Sequence, residues 1–313
     1  MKATTDPESF NFMPFIVKLH KIVSLKGKNM VKVSAIQMSM CEDKDSNIAK
    51  AQRLVKESAK NGAKIILLPE LFEGIYFCKD MDKKYFSWAK PLKGNKLIQK
   101  FSLLAKELEV VLLVSYFEKS DDEYFNSLVV IDGNGKVMDN YRKTHIPDGP
   151  GYEEKFYFKG GDTGFKVYDT IYAKIGVGIC WDQWFCETAR ALTLMGAEII
   201  FYPTAIGSEP EIGLDSKDHW QRVQMGHAAT NTVPVVVANR YGLEVGDSCE
   251  ITFYGSSFIT DYTGKKIAEA SRDKEEIIYA EFDLQENAKQ REYWGLLRDR
   301  RAEMYESVCK NSI

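Results

Sequence analysis

Three residues with reactive side chains each follow an apolar or strand-like segment. Glu70 follows Leu-Leu-Pro, Lys143 closes the segment 136–142, and Cys180 closes the run 174–179. A thiol that attacks a carbonyl needs a base to take its proton, and the resulting oxyanion needs a positive partner. Carboxylate, ammonium and thiol supply these functions without a histidine. The combination predicts nucleophilic attack by the thiol on a carbonyl group.

Each residue also has an interpretation without chemistry. A lone cysteine at a strand end is most often a buried core residue. A glutamate after proline can cap a turn, and a lysine at a strand end is usually a solvated charge. The three residues are more informative together, because the ends of neighbouring core strands converge on one crevice. We therefore expect Glu70, Lys143 and Cys180 to lie close together.

The sequence around Cys180 favours a reactive thiol. Cys180 lies between a predicted strand and a predicted helix, which is the arrangement of a nucleophile elbow. Gly176 and Gly178 remove side chains around the turn, and the N-terminus of the next helix favours thiolate over thiol. We interpret Cys186, further along the same segment, as a packing residue.

Hydrophobic periodicity predicts that strands and helices alternate. A strand over 31–38 precedes a helix that Ser46 caps and Gly62 ends, and the buried strand 64–68 leads to Glu70. Further strands are predicted at 110–116, 128–132, 136–142, 174–179, 198–202, 233–239 and 253–260, with two more ending near Phe282, and further helices near 97–108, 185–195 and 216–230.

These elements predict an α/β fold, a four-layer α-β-β-α sandwich with two mixed sheets. The turn at 133–135 indicates a hairpin, which adds antiparallel pairing and argues against a pure Rossmann or barrel arrangement. The strands after residue 253 are expected to complete the second sheet. We predict one domain over 30–313 with a C-terminal extension after about 282, and we interpret 1–29 as a loosely docked extension or an upstream start-codon artefact.

Composition excludes several partners. The net charge is -3, from 42 basic and 45 acidic residues, without long like-charge runs, which argues against nucleic acid and against a membrane surface. Six cysteines without a CxxC pair, and no export signal, indicate free thiols in the cytoplasm. Four scattered histidines do not suggest a metal site. A small-molecule substrate without metal or cofactor is therefore expected, and the long loop 144–166 is a candidate site-forming segment.

Four motifs resemble those of the nitrilase superfamily, in the order that family requires. They are Leu-Leu-Pro-Glu70, Tyr141-Arg-Lys143-Thr-His-Ile-Pro, Gly151-Tyr-Glu-Glu154-Lys-Phe-Tyr-Phe and Gly176-Val-Gly-Ile-Cys180-Trp-Asp. Longer strings, among them 72–78, 145–152, 180–184, 205–210 and 214–220, are similar to the N-carbamoylputrescine amidohydrolase branch. Cys186 departs from the family, which more often has proline there.

The resemblance implies a role for each motif residue. Glu70 is the general base, Lys143 the cation and Cys180 the nucleophile, while Glu154 is a second carboxylate that orients Lys143 or the substrate amide. The implied reaction converts N-carbamoylputrescine to putrescine, carbon dioxide and ammonia, in polyamine biosynthesis, through a carbamoyl thioester. The resemblance also implies a homo-oligomer built from dimers.

The expected pocket combines aromatic and acidic side chains. The backbone N–H of Trp181 is expected to help bind the oxyanion. Four rings that flank the motifs could enclose a four-carbon chain, although each could equally be a core residue: Tyr76, Tyr152, Trp181 and Trp184. The distal ammonium of the substrate needs an acidic or aromatic partner, and the candidates are Asp148, Glu209 and Glu211.

Two other interpretations remain open. A β-ureidopropionase, an ω-amidase or an aliphatic amidase would use the same chemistry with different pocket residues. A catalytically silent nitrilase-like binding protein is the alternative from another functional class. Loss of activity would be expected to remove a glutamate, lysine or cysteine of the motifs, and all three are present.

Overall fold

The computed structural model describes residues 30–208 and 214–310, so the expected extension at 1–29 lies outside the described residues. One six-stranded sheet has the strand order β14-β1-β2-β3-β4-β5. Its members are β1 (Met30–Gln37), β2 (Ile65–Leu67), β3 (Val111–Ser120), β4 (Glu123–Ile131), β5 (Val137–Arg142) and β14 (Glu276–Asp283). β1, β2 and β3 are parallel to one another and the other pairings are antiparallel, so this sheet is mixed.

The second six-stranded sheet has the order β13-β12-β9-β8-β7-β6. Its members are β6 (Lys166–Asp169), β7 (Lys174–Val177), β8 (Ile199–Thr204), β9 (Val235–Asn239), β12 (Phe258–Thr260) and β13 (Lys266–Glu269). The parallel strands β7, β8 and β9 form its centre. A separate hairpin of β10 (Tyr241–Val245) and β11 (Glu250–Tyr254) interrupts the strand predicted at 253–260.

Helices cover the outer faces of both sheets. The helices are α1 (Lys44–Lys60), α2 (Lys96–Leu108), α3 (Glu154–Tyr157), α4 (Cys186–Leu194), α5 (Lys217–Asn231) and α6 (Leu284–Trp294). α1 and α2 pack on the first sheet, α4 and α5 pack on the second, and apolar side chains from both sheets form the central core. The predicted four-layer α-β-β-α sandwich is confirmed. No helix in the described ranges is both long and apolar enough to cross a bilayer.

The placement of β14 corrects the predicted topology. β14 does not join the second sheet but pairs with β1 along its whole length, from Met30 opposite Asp283 to Gln37 opposite Glu276. Hydrophobic periodicity identifies a strand but not its partner, whereas the open edge of β1 offers unpaired backbone groups that a late strand can satisfy. The two sheets are therefore joined by the chain end as well as by the core.

The start of α1 also differs from the prediction. The N-cap is Asp43, whose carboxylate accepts a hydrogen bond from the backbone N–H of Ser46. Ser46 therefore lies in the first turn rather than at the cap. Both residue types are good caps, and the aspartate three positions upstream satisfies an N–H group of the first turn. The helix ends before Gly62, as predicted.

Candidate active site

The fold places the three predicted residues just beyond core strands. Glu70 follows β2, Lys143 follows β5 directly, and Cys180 follows β7 of the facing sheet. The Lys143 Nζ lies 3.0 Å from the Glu70 Oε1, although the two residues come from different strands. Sequence reasoning expected this convergence, and the structure brings the carboxylate and the ammonium into contact.

Lys143 lies between two buried carboxylates. Its Nζ donates a hydrogen bond of 2.6 Å to the Glu154 Oε2 and one of 3.0 Å to the Glu70 Oε1, and all three side chains are 0% exposed. Asn126 donates to the same Glu70 oxygen at 2.6 Å. The other oxygen, Oε2 of Glu70, has no hydrogen-bond partner among the described residues. An unpaired carboxylate oxygen in a buried site is suited to accept a proton.

The charges of this cluster stabilise each other. Burial opposes the ammonium of Lys143, but Glu154 and then Glu70 outweigh burial and raise the pKa of Lys143 well above its usual value. Burial raises the pKa of Glu154, and the positive charge of Lys143 limits that rise. Lys143 therefore stays a cation, and two of its three N–H donors are used by carboxylates.

Cys180 lies on a strained turn at the end of β7. Its φ of 43° is left-handed, a region that residues other than glycine rarely adopt and that nucleophile elbows use. A Cβ on Gly178 would lie 2.7 Å from the ring of Tyr202, so only glycine fits beneath the turn. The turn's first hydrogen bond runs from Asp182 N to Ile179 O. The role of the Trp181 backbone N–H as an oxyanion donor stays a prediction.

The electrostatics of Cys180 correct one prediction. Burial, followed by the negative charge of Glu70, raises the pKa of the thiol well above its usual value, and Lys143 offsets only part of this rise. A short 3-10 helix, Cys180–Trp184, begins at the cysteine and separates it from α4. The expected helix N-terminus is therefore displaced, and burial beside Glu70 disfavours the thiolate that the sequence predicted.

A pocket of about 180 Å³ opens above Cys180. Its walls combine the predicted nucleophile with two carboxylates, three aromatic rings and smaller residues. They comprise Pro147, Asp148, Gly149, Pro150, Tyr152, Glu154, Cys180, Trp181, Trp184, Ala205 and Ile206. Three of the four predicted pocket aromatics thus line the cavity. The fourth, Tyr76, is fully buried outside those walls, and its phenol donates a 2.7 Å hydrogen bond to Glu154 Oε1.

One of the three predicted ammonium partners lies at this pocket. Asp148 is part of the wall, its side chain is 49% exposed, and its carboxylate lies 3.8 Å from the ammonium of Lys155. Glu209 and Glu211 lie outside the described residues. Within the described ranges, no group of three His, Cys, Asp or Glu side chains is arranged to hold a metal ion. The absence of a metal stays a prediction.

The whole fold matches a known family. Residues 32–292 match the model of the carbon-nitrogen hydrolase family. The protein belongs to this family. The match confirms the resemblance drawn from the motifs, and it covers every residue of the buried cluster.

Individual relatives extend the match over most of the chain. This hydrolase is 53% identical over 281 residues to a citrullinase from Francisella tularensis, covering 90% of this chain and 98% of that protein. It is also 53% identical over 280 residues to an N-carbamoylputrescine amidase from Arabidopsis thaliana, covering 88% and 94%. The crystal structure of a carbon-nitrogen hydrolase from Helicobacter pylori shares 37% identity and superimposes with a TM-score of 0.85, covering 91% and 100%.

Asp182 connects the two loops that bear Lys143 and Cys180, and sequence reasoning missed it. This fully buried carboxylate accepts hydrogen bonds from the N–H of Ile179, beside the nucleophile, and from the Tyr141 hydroxyl. It also accepts one from the backbone N–H of His145 and lies 2.8 Å from the ring Nδ1 of that residue. The sequence offered one signal, because this aspartate lies two residues after the cysteine and among aromatic residues. A charge in such surroundings is buried only if it has hydrogen-bond or ionic partners.

Cys186 differs from its predicted packing role. It begins α4 and is exposed, and its sulfur lies 3.3 Å from a carboxylate oxygen of Glu187. The position where the family more often has proline is therefore the first residue of a helix, where the missing N–H of proline costs nothing. Because Cys186 is exposed and separate from the pocket, it is a suitable control for experiments on Cys180.

The raised pKa of Cys180 predicts a pH-dependent reaction with iodoacetamide. Below that pKa the thiolate fraction grows about tenfold per pH unit, so inactivation should accelerate continuously from about pH 7 to pH 9. The rate of activity loss measures this, and mass spectrometry identifies the alkylated peptide. In a Cys186→Ala background the profile should be unchanged. A rate that is already constant below pH 7 would show a resting thiolate and contradict the electrostatics of the buried cluster.

Proposed function

We propose that the protein hydrolyses N-carbamoylputrescine to putrescine, carbon dioxide and ammonia, as a step of polyamine biosynthesis. The observation that carries the proposal is the buried Lys143 between Glu70 and Glu154, beside an elbow cysteine that opens into a narrow pocket. The N-carbamoylputrescine amidases of Arabidopsis thaliana and Solanum tuberosum, each 53% identical over 88% of this chain, support the choice of substrate.

The first half of the proposed reaction forms a carbamoyl thioester. Glu70 takes the proton of the Cys180 thiol as the sulfur attacks the ureido carbonyl carbon, and the carbonyl oxygen becomes an oxyanion. The third N–H of Lys143 and the backbone N–H of Trp181 stabilise that oxyanion. The proton then passes from Glu70 to the amine nitrogen, the C–N bond breaks, and putrescine leaves.

The second half releases the carbamoyl group. Glu70 takes a proton from water, the hydroxide attacks the thioester carbon, and the C–S bond breaks. Cys180 regains a proton as carbamate leaves, and carbamate decomposes to carbon dioxide and ammonia. Glu154 does not exchange a proton in these steps. Its charge and its hydrogen bond to Lys143 Nζ keep the ammonium protonated and oriented.

The charges of the pocket favour an amine-terminated substrate. Its described walls contain two acidic residues, Asp148 and Glu154, and no lysine or arginine. The rings of Trp181 and Trp184, with centroids 6.0 Å apart, form an aromatic wall that can contact a methylene chain and a cation. A ureido compound with a distal ammonium matches both features.

Citrulline is the second candidate substrate, because a citrullinase is among the relatives at 53% identity. Citrulline has the same ureido group but ends in an α-amino acid, whose carboxylate would need a cationic partner. Within the described pocket walls no such partner exists, and Asp148 would repel the carboxylate. The pocket charges therefore place N-carbamoylputrescine ahead of citrulline.

Ammonia release by the purified protein tests the proposal. The panel contains N-carbamoylputrescine, citrulline, N-carbamoyl-β-alanine, glutaramate and simple nitriles, with the same assay for each. We expect kcat/KM for N-carbamoylputrescine to exceed the value for every other compound. It should exceed the value for citrulline by about 10²-fold or more, because the citrulline carboxylate would enter the pocket without a cationic partner. A larger kcat/KM for citrulline would overturn the substrate assignment.

Asp148→Asn should weaken recognition of the distal ammonium. Because this carboxylate is half exposed, water screens it, and we expect KM for N-carbamoylputrescine to rise by about fivefold with kcat nearly unchanged. Steady-state kinetics measures both constants. Lys155→Gln, which alters the neighbouring charge, is the matched control and should not raise KM. An unchanged KM in Asp148→Asn would assign the ammonium to another carboxylate, with Glu209 and Glu211 as the remaining candidates.

We also propose that the hydrolase is a cytoplasmic homo-oligomer built from dimers. Large apolar side chains are exposed on α4 and in the C-terminal segment, and they include Leu194, Met195, Tyr293, Trp294, Met304 and Val308. Contiguous apolar patches are typical of surfaces that pack against another subunit, and these side chains are the candidates for such a patch.

A further inference from the structure

We infer that the buried ion pair of Arg240 and Glu244 positions the two carboxylates that hold Lys143. The inference rests on the roles proposed above for Glu70 and Glu154. Arg240 directly follows β9, and Glu244 lies in β10, so both belong to the chain that leaves the second sheet. The Arg240 Nη1 lies 2.8 Å from the Glu244 Oε1, and the side chains are 0% and 5% exposed.

Two sets of hydrogen bonds, or arms, extend from this ion pair, and the first arm reaches Glu70, the proposed base. The Arg240 Nη2 donates hydrogen bonds to the backbone oxygens of Glu70 at 2.8 Å and of Leu71 at 3.2 Å, while Nη1 donates to Gly74 O at 3.3 Å. Leu71 has a left-handed φ of 47°. One guanidinium therefore holds the main chain of the base itself and the strained residue after it.

The second arm reaches the other carboxylate. The Glu244 Oε2 accepts a hydrogen bond of 2.6 Å from the backbone N–H of Tyr76. The phenol of the same tyrosine donates a hydrogen bond of 2.7 Å to Glu154 Oε1. Two short hydrogen bonds, joined through the covalent frame of Tyr76, thus link Glu244 to Glu154, and the other oxygen of Glu154 holds Lys143.

The two arms end at the main chain of Glu70 and at the carboxylate of Glu154, the two residues that accept hydrogen bonds from Lys143 Nζ. A buried ion pair contributes little net stability compared with apolar residues of similar size, so stability alone does not explain this pair. Displacement of a catalytic group by about 1 Å can reduce a rate by about 10²-fold. Neither Arg240 nor Glu244 is among the walls of the pocket. Arg240 and Glu244 are therefore positioning residues that affect kcat, with little effect on KM.

The test replaces both charges together. In Arg240→Met/Glu244→Gln no unpaired ion remains in the interior, so the fold should persist, whereas either single change leaves one buried ion unpaired. We expect kcat to fall by tenfold or more, about 10²-fold at most, with KM changed by less than about twofold. The control is Val55→Ala, a buried position of α1 on the outer face of the first sheet, which should lower the melting temperature and leave kcat unchanged.

A cycle with Tyr76→Phe separates positioning from general destabilisation. Tyr76→Phe removes the phenol and with it the hydrogen bond to Glu154. The Arg240→Met/Glu244→Gln substitutions should therefore reduce kcat by a smaller factor in the Tyr76→Phe background than in the unaltered protein. Equal factors in the two backgrounds, or a melting temperature that falls while kcat stays within twofold, would overturn the inference. The kcat values are compared on whichever substrate the unaltered enzyme hydrolyses. A wrong substrate assignment would therefore appear in the substrate panel, and it would not change the comparison of kcat between the two backgrounds.

Discussion

Cys180→Ala should release no ammonia above the uncatalysed background, a loss of about 10⁴-fold or more in kcat. Without the sulfur no thioester forms, and the buried carboxylates have no nucleophile to deprotonate. Alanine has the same backbone restrictions as cysteine at a φ of 43°, and it adds no charge or polar group to the buried turn. The variant should therefore fold, which circular dichroism and the melting temperature can establish.

Cys180→Ser is the more selective form of this experiment. The hydroxyl fits the same elbow, but it is a poorer nucleophile than the thiol when the only base is a carboxylate. We expect almost all activity to be lost here as well. Cys186→Ala is the matched control, since that thiol is exposed and lies outside the pocket walls, and it should retain full activity. Substantial turnover by Cys180→Ser, or equal losses at Cys180 and Cys186, would mean that the nucleophile is assigned wrongly.

Lys143→Ala should lower kcat by about 10²-fold or more, which corresponds to about 3 kcal/mol of transition-state stabilisation. The oxyanion loses its cation, and Glu70 and Glu154 are left as buried acids without a positive partner between them. Unpaired buried charge also destabilises the fold, so the melting temperature should fall. The kinetics are therefore measured well below the melting temperature of the variant.

Lys143→Arg separates position from charge. Arginine keeps the positive charge between the carboxylates, but its planar guanidinium cannot place a compact donor against Glu70, Glu154 and an oxyanion together. Most activity should still be lost while the fold is better preserved than in the alanine variant. Full activity of Lys143→Arg would mean that the lysine acts only through its positive charge and not through its exact position. Full activity of Lys143→Ala would mean that the lysine has no part in the mechanism.

The features predicted from the sequence are those that depend on local pattern. Apolar runs located the core strands, and their ends indicated where Glu70, Lys143 and Cys180 would meet. The role of Glu154 came from family resemblance rather than from its surroundings. The structure shows why: α3, which begins at this residue, has only four residues, and the partners Tyr76 and Lys143 come from distant segments.

The features that escaped prediction depend on long-range contacts. The return of β14 to the first sheet requires the three-dimensional position of the β1 edge, which periodicity does not encode. The raised pKa of the Cys180 thiol comes first from burial and then from the charge of Glu70 in the facing sheet. Arg240 gave a faint signal, because it directly follows the apolar strand Val235–Asn239, but its acceptors near Glu70 lie about 170 residues away.

A trapped carbamoyl thioester would identify Cys180 as the nucleophile. The enzyme is mixed with N-carbamoylputrescine, quenched in acid within the first turnovers, digested and analysed by mass spectrometry. The account predicts a carbamoyl group on the peptide that contains Cys180, formed together with released putrescine, and no such adduct in Cys180→Ala. A carbamoyl group on a different residue, or putrescine release by the Cys180→Ala protein at the unaltered rate, would contradict the account.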